Sequence, residues 1–201
     1  MSKKAYEHIL QNSKKKSPDL HKTIKSIGPI RIILRNKTDL PTLLCRSIAG
    51  QQLSVKAAST IWGRLQHQAN GKDLIQHIRQ TEPDVIRTCG LSAAKTKAMF
   101  AVAEAKSQGL LNVNNLKKMD IAKRNQAITS IWGVGDWTAN MLNIFYFGEK
   151  DIWPDKDVVV RKKFISLTKE NSDSIQESEI FSPYRSYLAM YMWRYADAKP
   201  A

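Results

Sequence analysis

The residues best suited to chemistry lie between Ile128 and Phe164. Gly133 and Gly135 bracket Val134, and glycine takes positive φ and lets a backbone approach another molecule with no Cβ in the way. Thr138, Ala139, Leu142 and Phe145 follow at helical spacing, so the turn feeds into a helix N-terminus. That end presents unpaired N–H groups and a partial positive charge, which suits a phosphate. On these residues alone, a glycine-capped turn between two helices is an equal alternative to a clamp on a nucleic-acid backbone. Farther along, an aromatic run leads to Asp157, a carboxylate at the head of Val158-Val159-Val160. Such a residue caps a helix and can also act as a base or stabilise positive charge.

The elements that must position these groups read as helices. Asp39 caps a pattern with Pro41 in its first turn and Leu40, Leu43, Leu44 and Ile48 on one side; it stops at Gly50. Ser54 restarts a helix whose buried face is expected to be Val55, Ala58, Trp62 and Leu65. Between the two lies Gln51-Gln52-Leu53, too polar for a core and too short for a linker; a capping turn is its plain reading. Two short helices broken at Glu82-Pro83 span Asp73 to Arg87. Ser92 caps a helix with a small-residue stripe of Ala94, Ala98, Ala101, Val102 and Ala105, and Asp120 begins the helix that enters the hairpin. Lys95 and Lys97 lie in the first turn after Ser92, against the helix dipole, where a nearby phosphate would offset the penalty. A last helix follows Ser182-Pro183, with Tyr184, Leu188, Tyr191 and Tyr195 on one stripe. No alternation of period two lasts for a strand's length, so the fold class is all-α.

Composition narrows the function classes. In 201 residues there are 32 Lys and Arg against 18 Asp and Glu, a net charge of +14 that favours a polyanionic partner and salt-sensitive affinity. The lysines before Leu20 read as a solvated face or a frayed end. Cys45 and Cys89 are too few for a four-cysteine cluster, and His8, His21, His67 and His77 lack metal-ligand spacing. There is no secretory leader and no apolar run of membrane-spanning length, so no membrane partner is expected.

Together Ile128, Ile131, Gly133, Val134, Gly135, Thr138, Ala139 and Leu142 resemble the helix-hairpin-helix motif of DNA-binding proteins. Asp157, twenty-two positions after Gly135, resembles the aspartate that completes the motif in DNA glycosylases. The likeness is nearest to the alkylation-repair branch, the 3-methyladenine DNA glycosylases. It is carried by the blocks Ser47 to Ser54, Gly90 to Lys95, Gly135 to Asn140, Trp153 to Asp157 and Pro183 to Tyr187, in the family's order. Trp132 stands where proline is usual.

The resemblance implies two helical lobes with an active-site cleft between them, one lobe from the middle of the chain, about residues 50–135, the other from both ends. Residues 1–18 would be a basic N-terminal segment and 19–201 the glycosylase domain. It implies that Asp157, rather than Asp155, is catalytic, because the family's aspartate directly precedes the apolar start of the helix. It places Trp137 and Trp193 in the base pocket, with Trp132 and Tyr187 among the surrounding aromatics; an electron-rich cage suits a cationic alkylated purine. The DNA-binding set would be Gln51, Gln52, Leu53, Ser54, Lys95, Gly133, Val134, Gly135, Asp136 and Thr138, with Gln52 filling the gap left by a flipped nucleotide. Strand-nicking relatives carry a lysine where this chain has Trp137, so no lyase step is expected. The family's hairpins also admit a monovalent cation at carbonyls near Ile131 and Gly133; no cofactor is implied.

The main expectation is therefore an intracellular monomer, in nucleoid or nucleus, that acts on double-stranded DNA bearing damaged bases, needs no protein partner, and removes 3-methyladenine and 7-methylguanine types. Two alternatives stand beside it: a glycosylase for oxidised or deaminated bases, and a non-catalytic helix-hairpin-helix DNA-binding module. Asp157 and the aromatics weigh against the last, since a backbone clamp needs neither.

Overall fold

Short polar residues ahead of apolar runs decide where the helices begin. In a computed structural model that describes residues 1–169 and 173–198, the order is α1 (Lys3–Lys16), α2 (Pro18–Ile27), α3 (Leu40–Gly50), α4 (Val55–Ala69), α5 (Leu74–Gln80), α6 (Pro83–Arg87), α7 (Ala93–Ser107), α8 (Val113–Lys118), α9 (Ile121–Thr129), α10 (Asp136–Leu142), α11 (Val158–Thr168), α12 (Ser174–Ser178) and α13 (Arg185–Asp197). Among the described residues there is no strand, and the all-α expectation holds. Ser17, Asp39, Ser54, Asp73, Ser92, Asp120 and Asp157 each accept a backbone N–H of the following first turn, the side-chain capping that such residues favour.

The chain divides into two units: residues 36–139, and residues 1–35 together with 140–201. In the unit made from both ends, Ile9, Leu20, Ile24, Val160, Phe164, Leu188 and Tyr191 form a continuous core. Each such side chain taken fully out of water contributes about 1.5–3 kcal/mol. Two hydrogen bonds tie the chain ends together in this unit: Ser17 Oγ donates to the Leu167 carbonyl at 2.6 Å, and the Tyr191 hydroxyl donates to the Gly28 carbonyl at 2.8 Å. The basic N-terminal run is a helix, not a frayed end; Ala5 and Ile9 are buried while Lys3, Lys4, Lys14 and Lys15 face water.

In the unit of residues 36–139, α3 and α7 pack together, and Leu44, Cys45 and Ile48 of α3 and Ala98, Met99 and Val102 of α7 are all buried. Burial pushes the Cys45 thiol far up, with Asp39 adding to the shift, so it stays a protonated apolar filler. Val55 departs from its expected place. It is 88 % exposed, whereas Trp62 and Leu65 are buried, because the helix face shared by Trp62 and Leu65 leaves the first turn of α4 in solvent. The short helices α8 and α12 carried no periodic signal, being only 6 and 5 residues long. Helix α10 runs on into a π-helical turn, Asn143–Phe147, closed by Gly148 at φ 79°.

Candidate active site and DNA interface

Within residues 36–139, two features carry the expected DNA-binding residues, and both rest on α7. The hairpin between α9 and α10 is a β-turn in which the Val134 N–H donates to the Ile131 carbonyl at 3.0 Å. Trp132 occupies the second position of that turn, where proline is favoured, and the turn forms without proline. Gly133 follows at φ 83°, and a Cβ built on it would lie 2.6 Å from the Ala98 Cβ of α7, so no larger residue fits without moving the hairpin. Gly135 differs: its missing Cβ faces open space. Val134 is buried, while Gly133, Gly135, Asp136 and Trp137 are exposed and Thr138 is buried at the head of α10. The Lys97 ammonium sits 4.4 Å above the half-exposed Trp132 ring, a cation–π contact from α7 to the hairpin.

The second feature is the turn between α3 and α4. The Leu53 N–H donates to the Gly50 carbonyl at 3.2 Å, and Gln52 stands at φ 58°. Gln52, Leu53 and Ser54 are exposed and Gln51 half-buried. Ser54 also caps α4 by accepting the Ala57 N–H at 3.3 Å. Lys95, expected on a phosphate, is turned to the protein: its ammonium donates to the Ala49 carbonyl at 2.9 Å and the Gln51 carbonyl at 2.7 Å. Burial lowers its pKa below the ordinary lysine value.

Within the unit made from both ends, the loop after the π-helical turn carries the two aspartates. Asp157 is 8 % exposed; its carboxylate accepts the Val160 N–H at 2.9 Å, and its own N–H donates to the Pro154 carbonyl at 2.8 Å. It is thus the N-cap of α11, held in one direction from both sides. Asp155 is engaged elsewhere: Ser174 Oγ donates to it and itself accepts the Trp153 Nε1–H at 3.1 Å. The Trp153 ring packs edge-on against Phe164 of the core, 5.0 Å between centroids. The two aspartates therefore have different surroundings, one capping a helix and one bracing the loop.

The start of α13 anchors the same loop. Ser186 Oγ donates to the Glu149 carbonyl at 2.8 Å and accepts the Ile152 N–H at 2.9 Å. Arg185 holds Asp151 in a fork, Nε to Oδ1 at 2.8 Å and Nη2 to Oδ2 at 2.9 Å, while Ser182 Oγ adds 2.9 Å to Oδ2. Burial alone would raise the Asp151 carboxyl, but the hydrogen bonds from Arg185 and Ser182 and the Arg185 charge outweigh it and hold the group below the usual carboxylate range. None of Asp151, Ser174 or Ser186 carries a local sequence signal for this duty, because their partners lie 19 to 37 residues away. Of the expected pocket aromatics in this unit, Trp193 packs 5.7 Å from Phe145, and Tyr187 is buried near Tyr184 at 6.4 Å. The Arg35 guanidinium covers the Phe145 ring at 5.3 Å, and the Arg35 backbone N–H donates to the Phe145 carbonyl at 2.7 Å. Burial raises the Tyr187 hydroxyl's pKa, with a smaller push from Tyr184. Among the described residues, no three His, Cys, Asp or Glu side chains gather where they could hold a metal ion.

The fold has counterparts among solved DNA glycosylases. The structure of Schizosaccharomyces pombe 3-methyladenine DNA glycosylase in complex with abasic DNA superposes with a TM-score of 0.78, at 26 % identity and covering 97 % of each chain. DNA-3-methyladenine glycosidase from Bacillus halodurans gives 0.81, at 25 % identity over 94 % of this chain and 88 % of that one. In sequence, DNA-3-methyladenine glycosylase 1 of S. pombe is 30 % identical over 159 residues, 75 % of this chain and 70 % of that protein. The sequence matches no protein-family model. The architecture is that of a helical DNA glycosylase. The chain belongs to the DNA-3-methyladenine glycosylase family.

Proposed function

We propose that this chain removes alkylated purines of the 3-methyladenine and 7-methylguanine type from double-stranded DNA, by hydrolysis and as a monomer, leaving an intact abasic strand. The observation that carries the reading is Asp157: a buried carboxylate of fixed direction at the head of α11, in a family of 3-methyladenine DNA glycosylases, in surroundings different from those of Asp155, which braces Ser174. The target nucleotide leaves the stack, and the Gln51 to Ser54 turn enters the duplex in its place. Trp137, Trp193, Trp132 and Tyr187 hold the base; stacking and cation–π attraction favour one that already carries positive charge. The hairpin residues Gly133, Val134, Gly135, Asp136 and Thr138 take the backbone.

As the C1′–N bond breaks, its electron pair leaves with the base and neutralises the base's charge, while positive charge develops on the sugar. Asp157 stabilises that charge, which exists only in the transition state, and so lowers the barrier more than it tightens binding. Water then bonds to C1′ and gives up a proton, with Asp157 as the acceptor in reach of the sugar. Tryptophan at position 137 cannot form an imine, so the sugar stays free of a covalent link to the protein.

Duplexes each bearing a single lesion test this reading. Incubation followed by hot alkali should break strands at 3-methyladenine or 7-methylguanine, strands should stay whole before alkali, and borohydride should trap no protein on DNA. Release of oxidised bases alone would move the substrate class. A borohydride-trapped adduct would overturn the hydrolytic mechanism, and binding with no release of any base would make the chain a DNA-binding module.

A further inference from the structure

We propose that Lys95 is a positioning residue, one that fixes the backbone flip holding Gln52 outward by binding the Gln51 carbonyl. The turn from Gly50 to Leu53 supplies the reason. Gln51 lies at φ −53°, ψ 129° and Gln52 at φ 58°, with the Leu53 N–H on the Gly50 carbonyl. These are the angles of a type II turn, whose third position demands positive φ and normally takes glycine or asparagine. Glutamine has a Cβ and is disfavoured there. A type I turn would close the same hydrogen bond with Gln52 at negative φ and no strain; the two differ by a flip of the Gln51–Gln52 peptide.

The carbonyl of that peptide is the one Lys95 binds, at 2.7 Å. A flip to type I would swing the oxygen away from the ammonium and forfeit a charge-assisted bond. The second bond, to the Ala49 carbonyl at 2.9 Å, uses an acceptor that the end of α3 leaves without an intrahelical donor. The ammonium thus bridges the end of α3 and the flipped peptide. Its own position is fixed, since the Lys95 N–H lies on the Ser92 cap of α7 at 3.2 Å and α7 packs on α3. With two of three donors engaged, the ammonium is a strut rather than a phosphate ligand. Residues held in sparsely populated backbone regions mark sites where a side chain is needed in one direction.

The inference rests on the proposed entry of the Gln52 turn into the duplex, and the test separates the two. Lys95→Met keeps the apolar stem and removes the donors. In the free protein, the NOE between the Gln51 Hα and the Gln52 amide proton, strong in a type II turn, should weaken about tenfold as the peptide flips to type I and the two protons move apart, while amides in the core of α7 keep their exchange protection. On lesion DNA, excision from duplex should fall about tenfold while excision from single strands stays within about twofold, and adding Gln52→Ala should cause little further loss, as expected for residues acting through one another. The log–log salt slope of duplex binding should equal that of the unsubstituted protein. Lys95→Arg, which keeps a donating cation, should restore the strong Gln51–Gln52 NOE; should Lys95→Met fail to fold, Lys95→Gln is read in the same assays. An unchanged Gln51–Gln52 NOE, equal losses on duplex and single strand, or additive losses with Gln52→Ala would each overturn the proposal, as would a salt slope reduced by about one, which marks a phosphate contact. If the unsubstituted protein releases no base, the proposed activity fails, and the NOE measurement still decides the strut.

Discussion

Asp155 and Asp157 are two residues apart and chemically identical, so only their surroundings can separate their duties. Asp157 caps α11 and is nearly buried; Asp155 braces Ser174 and, through it, the Trp153 indole. Asparagine caps a helix about as well as aspartate, so Asp157→Asn should leave the melting temperature nearly unchanged. Without the charge, base release should fall by about 10²–10³-fold, the size of losing one preorganised transition-state contact, while lesion-DNA binding is retained. Asp155→Asn should do the reverse: a loss of about 1 kcal/mol of stability from a weakened hydrogen-bond chain, with excision changed little. Single-turnover excision and urea midpoints on both variants measure this. A larger catalytic loss in Asp155→Asn would transfer the role to Asp155.

Capped helices were the most legible elements. Asp39, Ser54, Ser92 and Asp120 predict α3, α4, α7 and α9 because a cap acts within one turn, and that is all a local sequence window has to hold. Contacts across long loops were not legible. Nothing local to Asp151 announces Arg185, 34 residues on, although that pair secures the loop carrying Asp157. The exposure of Val55 and the direction of the Lys95 ammonium were not legible for a related reason: periodicity places a residue on a helix, but the neighbour decides whether a first-turn valine is covered or an ammonium is turned inward. The Asp151 anchor has a testable pH signature. Its folded-state pKa lies below the unfolded one, so its contribution to stability is complete above the unfolded carboxylate value of about 3.9 and is lost as pH falls through the folded value. Asp151→Asn should cost about 2 kcal/mol at pH 7, between the values for exposed and buried pairs, and should flatten the fall in stability below about pH 4. Urea unfolding at pH 7, 4 and 3 checks both; an unchanged acid slope would show that other carboxylates govern it.

At the scale of the whole molecule, the net charge of +14 is not the property of one basic tail. Residues 36–139 hold 14 Lys and Arg against 7 Asp and Glu, so half of the excess lies in the unit that carries the hairpin and the Gln52 turn, outside the lysine-rich α1. Ion pairing masks little of it: the pairs Lys106–Asp73, Arg87–Asp84, Lys123–Asp120 and Arg79–Glu104 in this unit are well exposed and hold each other weakly. A polyanion approaching this surface releases its condensed counterions, and each phosphate neutralised adds about 0.9 to the log–log salt slope. A footprint of roughly four or five phosphates therefore predicts a slope of about −4 for undamaged duplex, a loss of affinity on the order of 10²–10³-fold between 50 and 200 mM salt. Lesion-containing duplex should show the same slope with a higher intercept if, as proposed, the aromatic side chains grip the damaged base through contacts that release no counterions. Fluorescence anisotropy over that salt range, on matched duplexes with and without one lesion, measures slope and intercept together. A flat response would mean that the basic surface does not meet DNA, and a lesion that changed the slope would mean that base recognition and backbone grip are not independent.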